Sequence, residues 1–159
     1  MDNAVVHVAG VIAAVGSGLV AGVFLTFSVL VVPALRRQSP KRGISVMQAI
    51  NTAALTPTFL LPFVVTGLAC LVVGVAAVSD QADSGAGLTL VGVLCYLVGC
   101  LLVTGVYLVP RNKKLAERKA SDAEAQSYWV RYLQEWTAMN HVRAVAALAA
   151  AVTLTLGAA

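Results

Sequence analysis

Apolar residues run in long unbroken blocks along this chain, and the charged positions fall between the blocks. Residues 8–35, 43–79, 84–110 and 144–159 contain no Asp, Glu, Lys or Arg. A stretch of ~18 or more apolar residues without charge is long enough to cross a bilayer as a helix. The pattern predicts four spans, at about 5–34, 56–78, 87–109 and 137–157, in an all-α transmembrane four-helix bundle that forms a single integral membrane domain over residues 1–159. Thr56-Pro57 suits a helix start, since Pro is tolerated at the first helical position. Ser79, Asp80, Gln81, Asp83, Ser84 and Gly85 form a polar turn between the second and third spans, and Pro110 marks an end or a kink in the third.

Two shorter helices are predicted between the spans. Residues 45–54 place Met47, Ile50 and Ala54 on one side. Ser121-Asp122-Ala123-Glu124 fits a capping box. Beyond it Trp129, Tyr132, Leu133 and Trp136 follow i, i+3, i+4, i+7, the apolar stripe of an interfacial helix leading into the fourth span.

Composition sharpens the membrane reading. Of 159 residues, 59% are hydrophobic and 11% charged, against roughly 25% charged in a soluble domain. That excludes a soluble enzyme, a disulfide scaffold and a disordered tail. Arg36, Arg37, Lys41 and Arg42 follow the first span; Arg111, Lys113, Lys114, Arg118, Lys119 and Arg131 lie between the third and fourth. Basic loops stay cytoplasmic, so a multi-pass protein of the cell membrane with both termini outside is expected. The net charge of +4 is then a matter of topology and anionic inner-leaflet lipid, not of nucleic-acid binding. Met1-Asp2-Asn3 lacks a basic n-region and the first apolar run is too long for an h-region, so it reads as a span rather than a cleaved leader.

The small residues within the spans read first as packing positions. Gly18 and Gly22 form a GxxxG pattern, and Gly67 with Gly74 and Gly92 with Gly99 recur at seven residues. Such positions let backbones approach closely in lipid; the other use of the Gly18/Gly22 face is a homo-oligomer seam. Cys70, Cys95 and Cys100 form no C-x-x-C pair and read as small hydrophobes. No Asp or Glu lies within a span, which disfavours transport of charged solutes.

The uncommon polar residues collect at the cytoplasmic end. Gln48 and Asn51 are three residues apart before the second span, and Asn112 follows Pro110. Trp136, Asn140 and Arg143 run at i, i+4, i+7, with His141 about a hundred degrees round from Asn140. Residues 144–157 are only 14 in number, about 21 Å of helix against a ~30 Å core. The fourth span therefore begins before Arg143, and Asn140, His141 and Arg143 sit one or two turns below the surface. An ionisable group at that depth is a site candidate by default. Each residue also has a plainer use: Arg143 snorkelling to headgroups, Trp129 and Trp136 in an interfacial belt, His141 bonded to a helix-end carbonyl, and Gln48, Asn51 and Asn112 as helix glue. His7 and His141 lie a bilayer apart, and no Cys or carboxylate is clustered with His141. No metal site is expected, because a conventional one needs three or more such ligands.

Residues 18–28, Gly-Leu-Val-Ala-Gly-Val-Phe-Leu-Thr-Phe-Ser, followed by Val32-Pro33-Ala34-Leu35, resemble the first-helix signature of the anthrone oxygenase-like membrane family. Met47-Gln48-Ala49-Ile50-Asn51, Val109-Pro110-Arg111-Asn112 and the segment from Trp136 to Arg143 resemble its other motifs in the expected order, over about residues 17–145. The resemblance implies a four-helix membrane protein that oxidises a flat apolar anthrone or quinol with O₂ and no cofactor. On that expectation His141 is the base, its unperturbed pKa of ~6.5 suiting the role. Arg143, Asn140 and Asn51 stabilise the oxyanion. Gln48 and Asn112 assist, and Trp136, Phe24 and Phe27 line the ring site. The alternatives are a non-enzymatic small membrane subunit, whose cytoplasmic end would be closed and filled, and a carrier of apolar metabolites.

Overall fold

The structure, a computed structural model, describes residues 3–79 and 84–158. Five helices account for nearly all of them: α1 (Asn3–Arg36), α2 (Pro40–Ala53), α3 (Pro57–Ser79), α4 (Ala86–Ala116) and α5 (Ala123–Gly157). The four other than α2 are long and apolar enough to cross a membrane. Asp80, Gln81 and Asp83 of the expected polar turn lie outside the described residues.

The long helices form a ring in which α1 packs along α3 and α5, and α4 packs along the same two. Small residues set the spacing. A Cβ on Gly67 would stand 2.8 Å from Leu101 Cδ1, and one on Gly92 would stand 2.7 Å from Leu154 Cγ. These two, with Gly74 and Gly99, are packing positions between neighbouring helices, as close approach in lipid requires. Gly22 meets nothing within 4 Å and is exposed. The outer surface is apolar: Leu19 is 65% exposed, Val106 68% and Val145 68%, the inverse of a soluble protein and suited to lipid.

Two expectations about helix ends are corrected. Of the two readings of Pro110, an end or a kink, the end is ruled out, since α4 continues to Ala116. The backbone over Cys95–Leu108 is wound as π-helix and returns to α just before Pro110. Pro33 likewise follows a π-helical turn, Phe27–Val31. A proline lacks an N–H and its ring crowds the carbonyl four residues back, so a widened preceding turn lets the helix run on. The capping box at α5 does not form either. Asp122 is the N-cap residue and makes no side-chain cap hydrogen bond. The Ser121 hydroxyl is bonded to Asp122 Oδ1 at 3.2 Å, while Glu124 Oε1 accepts from Arg118 at 3.3 Å.

The buried residues divide into two clusters. One fills the ring with small and aromatic side chains, including Ala13, Phe24, Cys70, Tyr96 and Ala147. The other lies at the basic end, where α2 folds back beneath the bundle and places Ile44 and Met47 against Trp129, Tyr132 and Leu133. Gly43 permits that docking: a Cβ there would stand 2.8 Å from the Trp129 ring.

Candidate functional site

The expected polar residues of the basic end separate into a clamp and a buried cluster. The clamp closes the end of the bundle. Gln48 Nε2 donates to the carbonyls of Leu115 at 2.8 Å and Arg118 at 2.9 Å, tying α2 to the end of α4. Asn51 Nδ2 donates to the Tyr132 hydroxyl at 3.4 Å, and that hydroxyl donates to Asn112 Oδ1 at 2.8 Å. Tyr132 is fully buried and its ring stacks on Trp129 at 5.7 Å. Gln48, Asn51 and Asn112 thus join α2, α4 and α5 through hydrogen bonds to one another's helices, and none is bonded to Arg143. Tyr132, the centre of the clamp, stood out in the sequence only as part of an apolar stripe.

The second cluster lies inside the bundle, where α5 meets α1 and α4. Arg143 is 7% exposed and Asn140 is fully buried. One Arg143 amino group donates to Thr104 Oγ1 at 3.0 Å and the other to Asn140 Oδ1. Asn140 Nδ2 in turn donates to the Phe24 carbonyl and the Ser28 hydroxyl, both at 2.7 Å. The guanidinium carbon stands 3.9 Å from the centroid of the Phe24 ring and 5.8 Å from that of Trp136. Cys100 Sγ completes the enclosure, 3.5 Å from the Arg143 carbonyl that accepts from it. Thr104, Ser28 and Cys100 were missed from the sequence. Ser28 closed the first-helix motif, and Thr104 offered a hydroxyl close to the basic end of a charge-free stretch.

This guanidinium is unusual in its electrostatics. Among the described residues the ion pairs are Arg111–Glu135 and Arg118–Glu124, so Arg143 has no carboxylate partner. Burying an unpaired cation costs several kcal/mol. Two neutral acceptors and an aromatic face, worth about 2 kcal/mol when desolvated, offset part of that. Hydrogen bonding is also incomplete. Trp136 Nε1 and Arg143 Nε are buried without a hydrogen-bond partner among the described residues. Two donors with unused capacity around an uncompensated positive charge are suited to an oxygen carrying negative charge.

His141 is not part of this enclosure. It is exposed on α5, and two residues of helix turn it ~200° away from Arg143. Asn140, Arg143 and Trp136, at spacings of three and four, share the inward face. The grouping expected of Asn140, His141 and Arg143 by sequence proximity therefore holds for two of the three. Asn51 likewise belongs to the clamp and not to the Arg143 cluster. Phe24 is buried against Arg143, and Phe27 is half-buried with its ring 5.9 Å from that of Trp136.

Two cavities flank the bundle. One of about 390 Å³ lies where α1, α2 and α3 meet and is lined by Phe27 of α1, Ile50, Ala53 and Ala54 around the end of α2, and Thr56, Thr58 and Phe59 at the start of α3, with Arg143 and Trp136 outside it. The other, of about 870 Å³, lies at the opposite end among the start of α1 and the ends of α3 and α5, with His7 and Thr89 on its wall. No cavity is ringed by Asn51, Asn112, His141 and Arg143 together among those two.

No curated protein and no solved structure is significantly similar to the chain. A family model does match: that of anthrone oxygenase, over residues 52–153, which carry Thr104, Asn112, Trp136, Asn140, His141 and Arg143. The match covers 102 of the 159 residues, and the chain belongs to the anthrone oxygenase family.

Proposed function

We propose that this protein is a cofactor-independent oxygenase that converts a flat apolar anthrone or quinol with O₂, at the buried cluster near the basic end of the bundle. The observation that carries the reading is the unpaired Arg143 guanidinium, held by Asn140 and Thr104 against Phe24 with unused N–H donors beside it. Family membership supplies the reaction class.

The chemistry needs little beyond an anion site. An anthrone has an acidic methylene between its rings, and loss of one proton leaves an enolate whose negative charge rests on the ketone oxygen. The Arg143 guanidinium, oriented by Asn140, stabilises that oxyanion in a site of low dielectric, where such a donor acts more strongly than in water. The enolate carbon adds O₂, the peroxide anion so formed takes up a proton, and the hydroperoxide loses water to give the quinone. His141 faces away from the enclosure, so the proton passes to water and not to its imidazole. The aromatic walls of Phe24 and Trp136 hold the ring system. The basic end faces the cytoplasm in this reading, as the distribution of Lys and Arg favours.

The test is O₂ uptake by the purified chain with anthrone itself, in wild type and Arg143→Met. Wild-type turnover with loss of about 100-fold in the variant supports the reading, and equal rates sink it. A non-enzymatic small membrane subunit is the second reading, favoured by the clamp that closes the basic end and by two cavities that Arg143 does not line. It predicts neither saturable binding of anthrone nor turnover.

A further inference from the structure

We infer that the cavity beside Phe27 is a lateral entrance for a flat aromatic ketone, and that Phe27 is the gate between it and the donors Trp136 Nε1 and Arg143 Nε. The inference rests on the site proposed above and adds to it a route, a gating residue and a ligand-binding role for the Trp136 indole N–H.

Three observations meet at this place. The cavity, of about 390 Å³, is within the ~300–1,000 Å³ usual for small-molecule sites and is walled by Phe27, Ile50, Ala53, Ala54 and Phe59. Its lining is apolar apart from Thr56 and Thr58, and Ala53 and Phe59 are exposed, so it opens on the outer surface of the bundle, where a lipid-dissolved molecule would arrive. Phe27 lines that cavity and also packs on Trp136, with ring centroids 5.9 Å apart and a tilt of 53°. It belongs to the π-helical turn Phe27–Val31 that precedes Pro33. Behind Phe27, Trp136 is 5% exposed and Arg143 7%, and each carries an N–H with no partner among the described residues.

The occupant follows from these groups. Its body must be apolar and flat to pass between Phe27 and Phe59. Its polar part must be an acceptor, since the two unused groups are both donors and one belongs to a cation. A ketone oxygen that becomes an enolate oxygen meets both conditions. A cationic molecule fails the second.

The experiment uses the full chain in lipid nanodiscs without O₂, so that binding is read apart from turnover, with anthrone as the probe. Trp129→Phe leaves Trp136 as the only indole, and Trp136→Phe leaves Trp129, which is stacked on Tyr132 in the clamp. Saturable quenching is expected in Trp129→Phe and not in Trp136→Phe. Added to the Trp129→Phe background, Ala53→Phe fills the entrance from an exposed position and should raise the half-saturating concentration about tenfold. Val11→Phe, which fills the cavity at the other end, should leave it unchanged. Phe27→Ala should speed the onset of quenching. Equal quenching of both tryptophans, no saturable quenching, or a Val11→Phe effect as large as that of Ala53→Phe would overturn the entrance. Binding that follows the expected pattern without O₂ uptake in air keeps the entrance and removes the oxygenase reading.

Discussion

The guanidinium of Arg143 lies 3.9 Å from the centre of the Phe24 ring, with α5 and α1 face to face and no carboxylate paired with the charge among the described residues. The contact joins the most expensive side chain in the bundle to an aromatic face. It places the positive charge where no carboxylate among the described residues neutralises it, so stability and function pull on this residue in opposite directions.

Arg143→Met separates the two. Burying an unpaired cation costs several kcal/mol, and an apolar side chain of similar length removes that cost. Thermal unfolding in detergent should therefore show an unchanged or raised midpoint, while O₂ uptake falls about 100-fold. A large drop in stability would mean that the guanidinium is mainly structural.

Asn140→Ala should behave differently. It removes the acceptor for Arg143 and the donor to the Phe24 carbonyl and Ser28. Stability should fall by about 1–3 kcal/mol, because buried partners are left unsatisfied. Denaturation of this variant and of Ser28→Ala, which loses one of those bonds, gives the comparison: the Asn140 variant must be the less stable.

His141→Ala tests the inward face of α5 directly. The side chain is exposed and turned away from the cluster, so its loss should change O₂ uptake by no more than about threefold, the range of surface substitutions. A collapse of activity across a pH titration would return the base role to His141.

Tyr132→Phe isolates the clamp. The hydroxyl bridges Asn51 and Asn112, and its removal should cost about 1–3 kcal/mol of stability with little effect on binding at Arg143. If anthrone binding is lost while the fold is kept, the clamp and the site are one unit.

Gly43→Ala probes how α2 docks. The new Cβ would stand 2.8 Å from the Trp129 ring, which is held by its stack on Tyr132. Overpacking of this kind costs about 1–3 kcal/mol. Trp129→Phe removes the atoms in the way, so the double variant should recover stability relative to the sum of the two single changes.

Much of the architecture was legible because bilayer physics writes it into composition. Charge-free blocks of sufficient length must be helical, since lipid satisfies no backbone polar group. The four expected spans accordingly coincide with α1, α3, α4 and α5 to within a few residues wherever the flanking segments are not themselves helical. The helix ends were harder. Pro110 is locally a breaker, and the π-winding that carries α4 past it depends on the surrounding bundle. Ser121 and Glu124 matched a capping pattern, but Arg118 offered Glu124 another partner.

The sequence by itself determined that four apolar helices cross a bilayer-sized distance and that the rare polar side chains gather at one end. Only the tertiary structure decided which of them meet. In a soluble helix the apolar stripe marks the inner face, but here lipid accepts apolar residues on every side, and no stripe tells Asn140 and Arg143 from His141. Position around α5 turned two inward and one outward. Packing against α1 and α4 then supplied Phe24, Ser28 and Thr104, partners far away in the chain. Close packing of a specific ring of helices, not local pattern, divided the polar end into a clamp and a buried cationic site.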